Sequence, residues 1–213
     1  MTLEARKIRL VMELRQQGIT DKNVLSAIER TPREAFVPES FHDQAYENTA
    51  LPIGHGQTIS QPAVVAYMTQ ALLLGPRMKV LEIGTGCGYQ AAVLARLCRR
   101  VYTVERYREL LREAEKRFAA LRIGNVTTRW GDGMQGWPEQ APFDRIIVTA
   151  ASHAVPEALK AQLADGGILV APVGRNTYDQ VLVRMRRAGD AFESEELWPV
   201  RFVPLVAGTD GGN

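Results

Sequence analysis

Three glycines at alternate positions follow an acidic residue in the stretch VLEIGTGCGYQAAVLA, residues 80–95. Glu82 comes first, and Gly84, Gly86 and Gly88 follow it. Glycines let the chain turn sharply and let a ligand approach the main chain. The spacing differs from the G-x-G-x-x-G of dinucleotide-binding folds, and no Gly-Lys-Ser/Thr follows as in a P-loop. An acid beside such a loop disfavours a pyrophosphate and favours a ligand that bears positive charge. The alternative is a tight turn that needs glycine for packing.

Two further acidic residues stand where a nucleotide-like ligand needs them. Glu105 ends the strand predicted for VYTVE, where a carboxylate can accept hydrogen bonds from ribose hydroxyls. Asp132, in the GDG of residues 131–133, can accept a hydrogen bond from the exocyclic amine of adenine. S-adenosylmethionine combines an adenosyl group with a sulfonium and an ammonium, so it fits all three acids.

The stretch GHGQTISQPAVVA, residues 54–66, predicts a polar loop that closes on a helix start. Ser60 stands two residues before Pro62, so it is placed to cap that helix, and a helix start favours anions. With Thr58, it offers hydroxyls to an anionic ligand. The alternative is that Ser60 only caps the helix. His55 is either a contact at the rim of the site or a solvent-facing loop residue.

Short apolar runs alternating with helical patterns predict a doubly wound, mostly parallel, seven-stranded α/β sheet of Rossmann-like type. The predicted strands are KVLEI, RVYTVE, NVTTRW, FDRIIVTAA and GGILVAPV, and the predicted helices are YQAAVLARLC, YRELLREAEKRFAAL and VPEALKAQLA. DQVLVRMRR and RFVPLV predict an antiparallel pair that finishes the sheet. Pro204 places the last strand at an edge or a bulge.

The chain is predicted to form a single domain over residues 1–213. Residues 3–17 predict a helix, and Thr20 or Asp21 is expected to cap a second helix that runs to about Arg30. These helices and an irregular, loop-rich segment form an N-terminal extension over residues 1–61. The Rossmann-like core spans residues 62–208, and residues 209–213 are expected to be a disordered tail.

The composition is that of an ordinary soluble globular protein. Of 213 residues, 46% are apolar and 23% charged, and the net charge is +2. We therefore expect a cytoplasmic, monomeric protein that binds neither nucleic acid nor membrane. Cys87 and Cys98 form neither a metal set nor a disulfide framework, so no metal is expected.

The glycine loop and the acids resemble those of the class I S-adenosylmethionine-dependent methyltransferases. PIGHGQTISQP, RTPREAFVP and RFVPLV resemble more narrowly the protein-L-isoaspartate O-methyltransferases, from about Arg30 to Gly208. His55 stands where that family commonly has an aromatic residue. Ser152 and His153 stand where it usually has an Ala-Pro pair.

The resemblance implies methyl transfer from S-adenosyl-L-methionine to the α-carboxylate of L-isoaspartyl residues in damaged proteins and peptides, with S-adenosyl-L-homocysteine as the product. The ester then collapses to a succinimide, which hydrolyses partly to aspartate. The alternatives are another carboxyl or small-molecule methyltransferase, or a binding protein without catalysis. Ser60 is the expected catalytic residue. His55, Thr58, Ser60 and Val206 are expected to bind substrate. The expected cofactor-binding residues are Gln57, Thr58, Ile59, Glu82, Gly84, Thr85, Gly86, Cys87, Gly88, Glu105, Arg106, Asp132 and Gly133.

Overall fold

The computed structural model describes residues 2–211, and it begins with two capped helices. Helix α1 spans Leu3–Gln16 and helix α2 spans Lys22–Glu29. The carboxylate of Asp21 accepts the main-chain N–H groups of Asn23 and Val24, so the capping predicted for this position is confirmed. Two short 3₁₀ helices follow, Arg33–Phe36 and Glu39–Gln44.

The segment predicted to be a polar loop contains a small hairpin. Strand β1, Leu51–Gly54, pairs antiparallel with strand β2, Gln57–Ile59. Gly54 and Gly56 have φ values of +99° and +67°, which only glycine adopts without strain, and His55 between them has φ of 51°. The sequence signal for the strands was weak because each is only three or four residues long. Helix α3, Pro62–Ala71, follows the hairpin.

A seven-stranded sheet forms the centre of the molecule, with the order β5-β4-β3-β6-β7-β8-β9. Strands β3 to β7 pair in parallel, and β8 and β9 add antiparallel strands at one edge, so the predicted fold class is confirmed. The helices between the strands are α4 (Tyr89–Ala95), α5 (Arg108–Ala120) and α6 (Glu157–Ala161). The strands are β3 (Lys79–Ile83), β4 (Arg100–Glu105), β5 (Val126–Trp130), β6 (Phe143–Val148), β7 (Leu163–Val173), β8 (Val181–Ala188) and β9 (Ala191–Pro199).

The prediction of the last strand was wrong. Strand β9 is Ala191–Pro199, reached from β8 through a turn at Gly189, and it is mostly exposed. Its polar residues on both faces hid it from a pattern search. The apolar run at 201–206 is not a strand of the sheet. Within residues 2–211 it pairs only with Ala151, just beyond the end of strand β6: Ala151 exchanges main-chain hydrogen bonds with Val203 and Leu205 on either side of Pro204.

Side chains from the two faces of the sheet build two apolar cores. The larger one joins the sheet to helices α1 to α4 and includes Val80, Val101 and Ile147. The smaller one, with Leu81 and Ile146, packs against α6. Within the tail, Asp210 accepts main-chain and indole N–H groups from Arg108 and Trp130, whereas residues 212 and 213 lie outside the described residues.

Candidate active site

A cavity lies beyond the carboxyl ends of strands β3 and β4, where open α/β sheets bind ligands. It holds about 1040 Å³ of empty space, its open mouth included. The hairpin and residues 203–206 form part of its wall. Its polar and loop lining comprises Gln57, Thr58, Ile59, Ser60, Gly84, Thr85, Gly86, Cys87, Glu105, Arg106, Tyr107, Gly133, Thr149, Val203, Pro204, Leu205 and Val206.

The three glycines of the loop pack against different neighbours, and all three have positive φ values. A Cβ on Gly84 would lie 2.3 Å from Thr149 Oγ1, and one on Gly88 would lie 2.8 Å from the Phe118 ring. Gly88 therefore faces helix α5 and does not line the cavity, contrary to its predicted role in cofactor binding. Gly86 does line the cavity, and a Cβ there would meet only Ile53 of the hairpin, at 3.3 Å.

The carboxylate of Glu105 supports the glycine loop and also lines the cavity. Its Oε2 accepts the Gly86 N–H at 2.8 Å, and its Oε1 accepts the Tyr107 N–H at 2.9 Å. Burial raises the pKa of this carboxyl, and the main-chain donors act in the opposite direction. An ionised carboxylate has about four acceptor positions, so capacity remains for a ligand.

Glu82 lies beneath the glycine loop and is fully buried, so it does not line the cavity. Its Oε2 accepts the Thr103 hydroxyl at 2.5 Å, and that hydroxyl lies 2.6 Å from Thr85 Oγ1. Its Oε1 is buried and has no hydrogen-bond partner. Burial raises the pKa of Glu82 to about 8. Glu82 itself does not reach the cavity, because its side chain is held against Thr103 of strand β4, and its predicted contact with the cofactor, directly or through water, stays a prediction.

The remaining predicted cofactor residues divide between the cavity wall and its support. Gly133 lines the cavity, whereas Asp132 does not; its Oδ1 accepts the Met134 N–H at 2.9 Å. Arg106 lines the cavity and has a buried Nε without a partner. Cys87 also lines it, and burial raises the pKa of its thiol, so the thiol stays protonated and its contribution is a small side chain.

A second cavity adjoins the first and holds about 1190 Å³, its open mouth included. Thr58, Ser60, Thr149 and Val203 line both cavities, so they form the junction between them. The other residues around this second cavity are Ala50, Gln61, Val64, Tyr178, Gln180, Pro199, Val200, Arg201 and Phe202.

The start of helix α3 corrects the capping role predicted for Ser60. The N-cap residue is Gln61, whose side chain makes no capping bond, and Pro62 is at the first helical position. Asn48 supplies the cap instead: its Oδ1 accepts the Ala63 N–H at 3.0 Å. Ser60 lies one residue too early to cap the helix. Its side chain faces the junction of the two cavities.

His55 and Val206 were both predicted to bind substrate, and they lie in different places. His55 lines neither cavity; its Nε2 lies 2.8 Å from Glu109 Oε2 on helix α5, and its ring lies 5.4 Å from that of Tyr107. The tight hairpin turn directs it away from the junction. Val206 lines the first cavity.

Sequence reasoning missed Thr149 and most of the 201–206 segment as parts of the wall. The single proton of the Thr149 hydroxyl is shared between the carbonyl oxygens of Ile83 and Gly84, at 2.9 and 2.8 Å, so it joins the end of strand β6 to the glycine loop. Its position directly after a buried strand was the available signal. In the 201–206 segment only Val206 was predicted, because an apolar run alone does not show which of its side chains face a cavity.

Residues 2–211 contain no group of three or more His, Cys, Asp or Glu side chains that could hold a metal ion. None of the helices in this range combines the length and apolar character that a membrane span requires.

Residues 5–210 match the family model described as protein-L-isoaspartate(D-aspartate) O-methyltransferase (PCMT). The chain belongs to this family. Its curated relatives include the protein-L-isoaspartate O-methyltransferases of Rhodospirillum rubrum, 65% identical over 98% of this chain and 96% of that protein, and of Rhodospirillum centenum, 63% identical over 97% and 94%. The family is that of the S-adenosylmethionine-dependent repair methyltransferases, and the function of the chain is isoaspartyl methylation in protein repair.

Solved structures of this methyltransferase family share the fold. One protein-L-isoaspartate O-methyltransferase aligns with a TM-score of 0.85 and 30% identity, over 93% of this chain and 65% of that one. A Plasmodium falciparum protein described as a putative member, in complex with S-adenosyl-L-homocysteine, aligns with a TM-score of 0.81 and 26% identity, over 93% and 97% of the two chains.

Proposed function

We propose that the first cavity binds S-adenosyl-L-methionine, that the second receives an isoaspartyl peptide, and that the two meet at Ser60. The observation that supports this division is the shared lining: Thr58 and Ser60 border both cavities. A group-transfer enzyme needs such a junction, because donor and acceptor must approach each other from separate sites.

The first cavity suits the adenosyl cofactor in shape and in chemistry. Gly86 leaves the loop open where a side chain would intrude, and Glu105 offers acceptor positions for ribose hydroxyls. Arg106 has an unpartnered Nε in the same wall. Gln57, Ile59 and Thr85 complete the proposed contacts. When bound, the cofactor supplies an electrophilic methyl group. Glu82 acts from beneath, holding Thr85 through Thr103.

The task of the protein's own residues is to orient the methyl acceptor, the substrate carboxylate. The α-carboxylate of an isoaspartyl residue is ionised at neutral pH and is already a nucleophile, so no general base is required. The Ser60 hydroxyl can donate a hydrogen bond to one carboxylate oxygen and leave the other free to react. Thr58 provides a second hydroxyl at the same junction. Correct orientation of this kind is worth several kcal/mol of barrier, about 7–11 kcal/mol at its limit.

The apolar wall around the junction limits the access of water to the carboxylate. Val203 borders both cavities, and Leu205 and Val206 continue the wall over the first. Partial desolvation strengthens the hydrogen bond from Ser60, because electrostatic interactions are stronger where water is excluded. The 201–206 segment therefore shapes the cavity wall and also lowers the dielectric constant around the substrate carboxylate.

We further propose that the enzyme acts as a monomer in the cytoplasm, without nucleic acid or membrane as a partner. Cys87 and Cys98 are buried, free thiols, which suits a reducing compartment.

The test of this division is the Ser60→Ala variant. Methyl transfer to an isoaspartyl peptide should fall roughly ten- to a thousand-fold, which corresponds to about 1.4–4 kcal/mol of transition-state positioning. The affinity for S-adenosyl-L-homocysteine, measured by calorimetry, should stay within a few-fold of wild type. A variant with full activity, or with a matching loss of cofactor affinity, would show that Ser60 does not orient the acceptor.

A further inference from the structure

Arg33 is a fully buried arginine that lies between the two loops of the site. Its exposed fraction is 0%. It opens the short 3₁₀ helix that precedes the hairpin. Arginine is rarely buried completely unless a carboxylate pairs with it. None of the ion pairs within residues 2–211 includes Arg33.

On one side, the guanidinium of Arg33 holds the substrate loop. Its Nη2 donates to the main-chain carbonyl of Ser60 at 2.7 Å and, more weakly, to that of Thr49 at 3.4 Å. A hydrogen bond from a charged donor is stronger than one between neutral groups. The main chain of the residue proposed to orient the acceptor is therefore fixed by a buried cation.

On the other side, the same group touches the end of the cofactor loop. Its central carbon lies 4.8 Å from the centroid of the Tyr89 ring. Tyr89 is the first residue of helix α4 and directly follows Gly88 of the glycine loop. Arg117 reinforces this connection, since its Nε donates to the Ala35 carbonyl in the same 3₁₀ helix.

Stability alone does not account for a cation at this place. Two of its nitrogens, Nε and Nη1, are buried and form no hydrogen bond of normal geometry, and the Tyr89 hydroxyl, also without such a bond, is the polar group that faces the guanidinium. A buried charge without a counter-charge is costly, and apolar side chains of similar volume often stabilise such a site better. The feature that an apolar side chain could not replace is the hydrogen bond to the Ser60 carbonyl.

We propose that Arg33 is a positioning residue for methyl transfer, which fixes Ser60 relative to the glycine loop and so sets the separation between acceptor and methyl donor. This role rests on the proposed function of Ser60. Because a displacement of about 1 Å can cost roughly a hundred-fold in rate, a residue that touches neither reactant can control turnover through such a link.

The test compares Arg33→Met with Arg145→Met. Arg145 is a matched control: it is 9% exposed, and its guanidinium donates to the carbonyls of Leu72 and Leu73, outside both cavities. Arg33→Met should lower kcat on an isoaspartyl peptide by roughly ten- to a hundred-fold, with the affinity for S-adenosyl-L-homocysteine within about three-fold of wild type. Arg145→Met should keep kcat within about two-fold when both variants are compared below their melting temperatures.

A conservative variant separates positioning from packing. Arg33→Lys keeps a cation but has a shorter head without the planar fork, so its kcat should fall below that of wild type by roughly three- to ten-fold, less than in Arg33→Met. If Arg33→Met does not fold, this loss, compared with an unchanged kcat in Arg145→Lys, is the test. Equal kcat losses at Arg33 and Arg145, or a folded Arg33 variant with wild-type kcat, would overturn the proposal. If wild type itself did not methylate the peptide, the proposed function would fail. Normal activity in wild type with loss only in Ser60→Ala would refute the role of Arg33 alone.

Discussion

The two halves of the site are built in different ways. The cofactor half follows directly from strands β3 and β4, and its loop is held by bonds such as that from the Gly86 N–H to Glu105. The substrate half consists of a short hairpin and the 201–206 segment, which come from opposite ends of the chain. Side-chain contacts hold it, for example the pair of bonds between the Gln180 amide and the main chain of Phe202. One half depends on local sequence and the other on long-range contacts.

This difference predicts separate consequences for substitutions. Changes in the cofactor half should alter cofactor affinity or the stability of the sheet. In the substrate half, changes at Ser60 and at the side chains that hold its main chain should alter turnover while cofactor affinity stays near that of wild type. Ser60→Ala and Arg33→Met test the second statement, and the following variants test the limits of both.

Gly86→Val should have the largest effect, with loss of detectable binding of S-adenosyl-L-homocysteine. Gly86 has a φ of +53° and lines the cavity, so a branched side chain would both strain the loop and fill ligand space. The expected loss exceeds roughly a thousand-fold, about 4 kcal/mol, by calorimetry. Gly189→Val is the control, because Gly189 has a φ of +62° in open space far from the site. Equal binding by the two variants would contradict the assignment of the cavity.

Glu82→Gln should change how stability depends on pH in the cofactor half. Burial raises the pKa of Glu82 from 4.5 to about 8, so the folded protein keeps this proton over a range in which the unfolded chain releases it. The carboxyl therefore favours folding at low pH, and this contribution is lost as pH rises through about 8. Relative to wild type, the variant should gain about 2–4 kcal/mol in free energy of unfolding between pH 4 and pH 9.

Urea denaturation of both proteins without added cofactor, at several pH values, measures that gain. The Thr103 hydroxyl can still donate to the glutamine amide oxygen, so the substitution preserves the local hydrogen bond. Parallel pH profiles for the two proteins would show that Glu82 ionises normally in the folded state.

Asn48→Ala should have the smallest effect, confined to stability. The Asn48 side chain caps helix α3 through the Ala63 N–H, so its loss should cost about 1 kcal/mol in the free energy of unfolding. Ser60→Ala should change that free energy by less than about 0.5 kcal/mol, since Ser60 makes no capping bond. Asn48→Asp, which keeps a capping oxygen, is the control. A larger loss of stability in Ser60→Ala than in Asn48→Ala would show that Ser60, and not Asn48, caps helix α3.

The sequence predicted most of the cofactor half, because its signals are local. A short buried strand that leads into a glycine loop predicts a parallel strand ending at a ligand site. An acid at the end of the next strand then lies at the same edge of the sheet. The orientation of Glu82 into the sheet could not be predicted, since it depends on Thr103 from the neighbouring strand.

For the substrate half, the sequence indicated which segments take part, but not the path of those segments or the contacts between them. The role of Asn48 as the cap depends on the path of a loop-rich segment, and RFVPLV has the apolar pattern of a strand although it runs across the cavity. The contact of Arg33 was equally unpredictable, because nothing in RTPREAF indicates that the guanidinium reaches the Ser60 carbonyl.

The most direct test of the account is methyl transfer to a pair of peptides that differ only in an isoaspartyl or an aspartyl residue. In the isoaspartyl peptide the chain continues through the side-chain carboxyl group, so the α-carboxylate is free. In the aspartyl peptide the side-chain carboxylate is free instead, and the junction at Ser60 is proposed to distinguish the two positions. Radiolabelled S-adenosyl-L-methionine should label the isoaspartyl peptide and leave its aspartyl twin unlabelled. Equal labelling of the two peptides, or labelling of neither, would contradict the account.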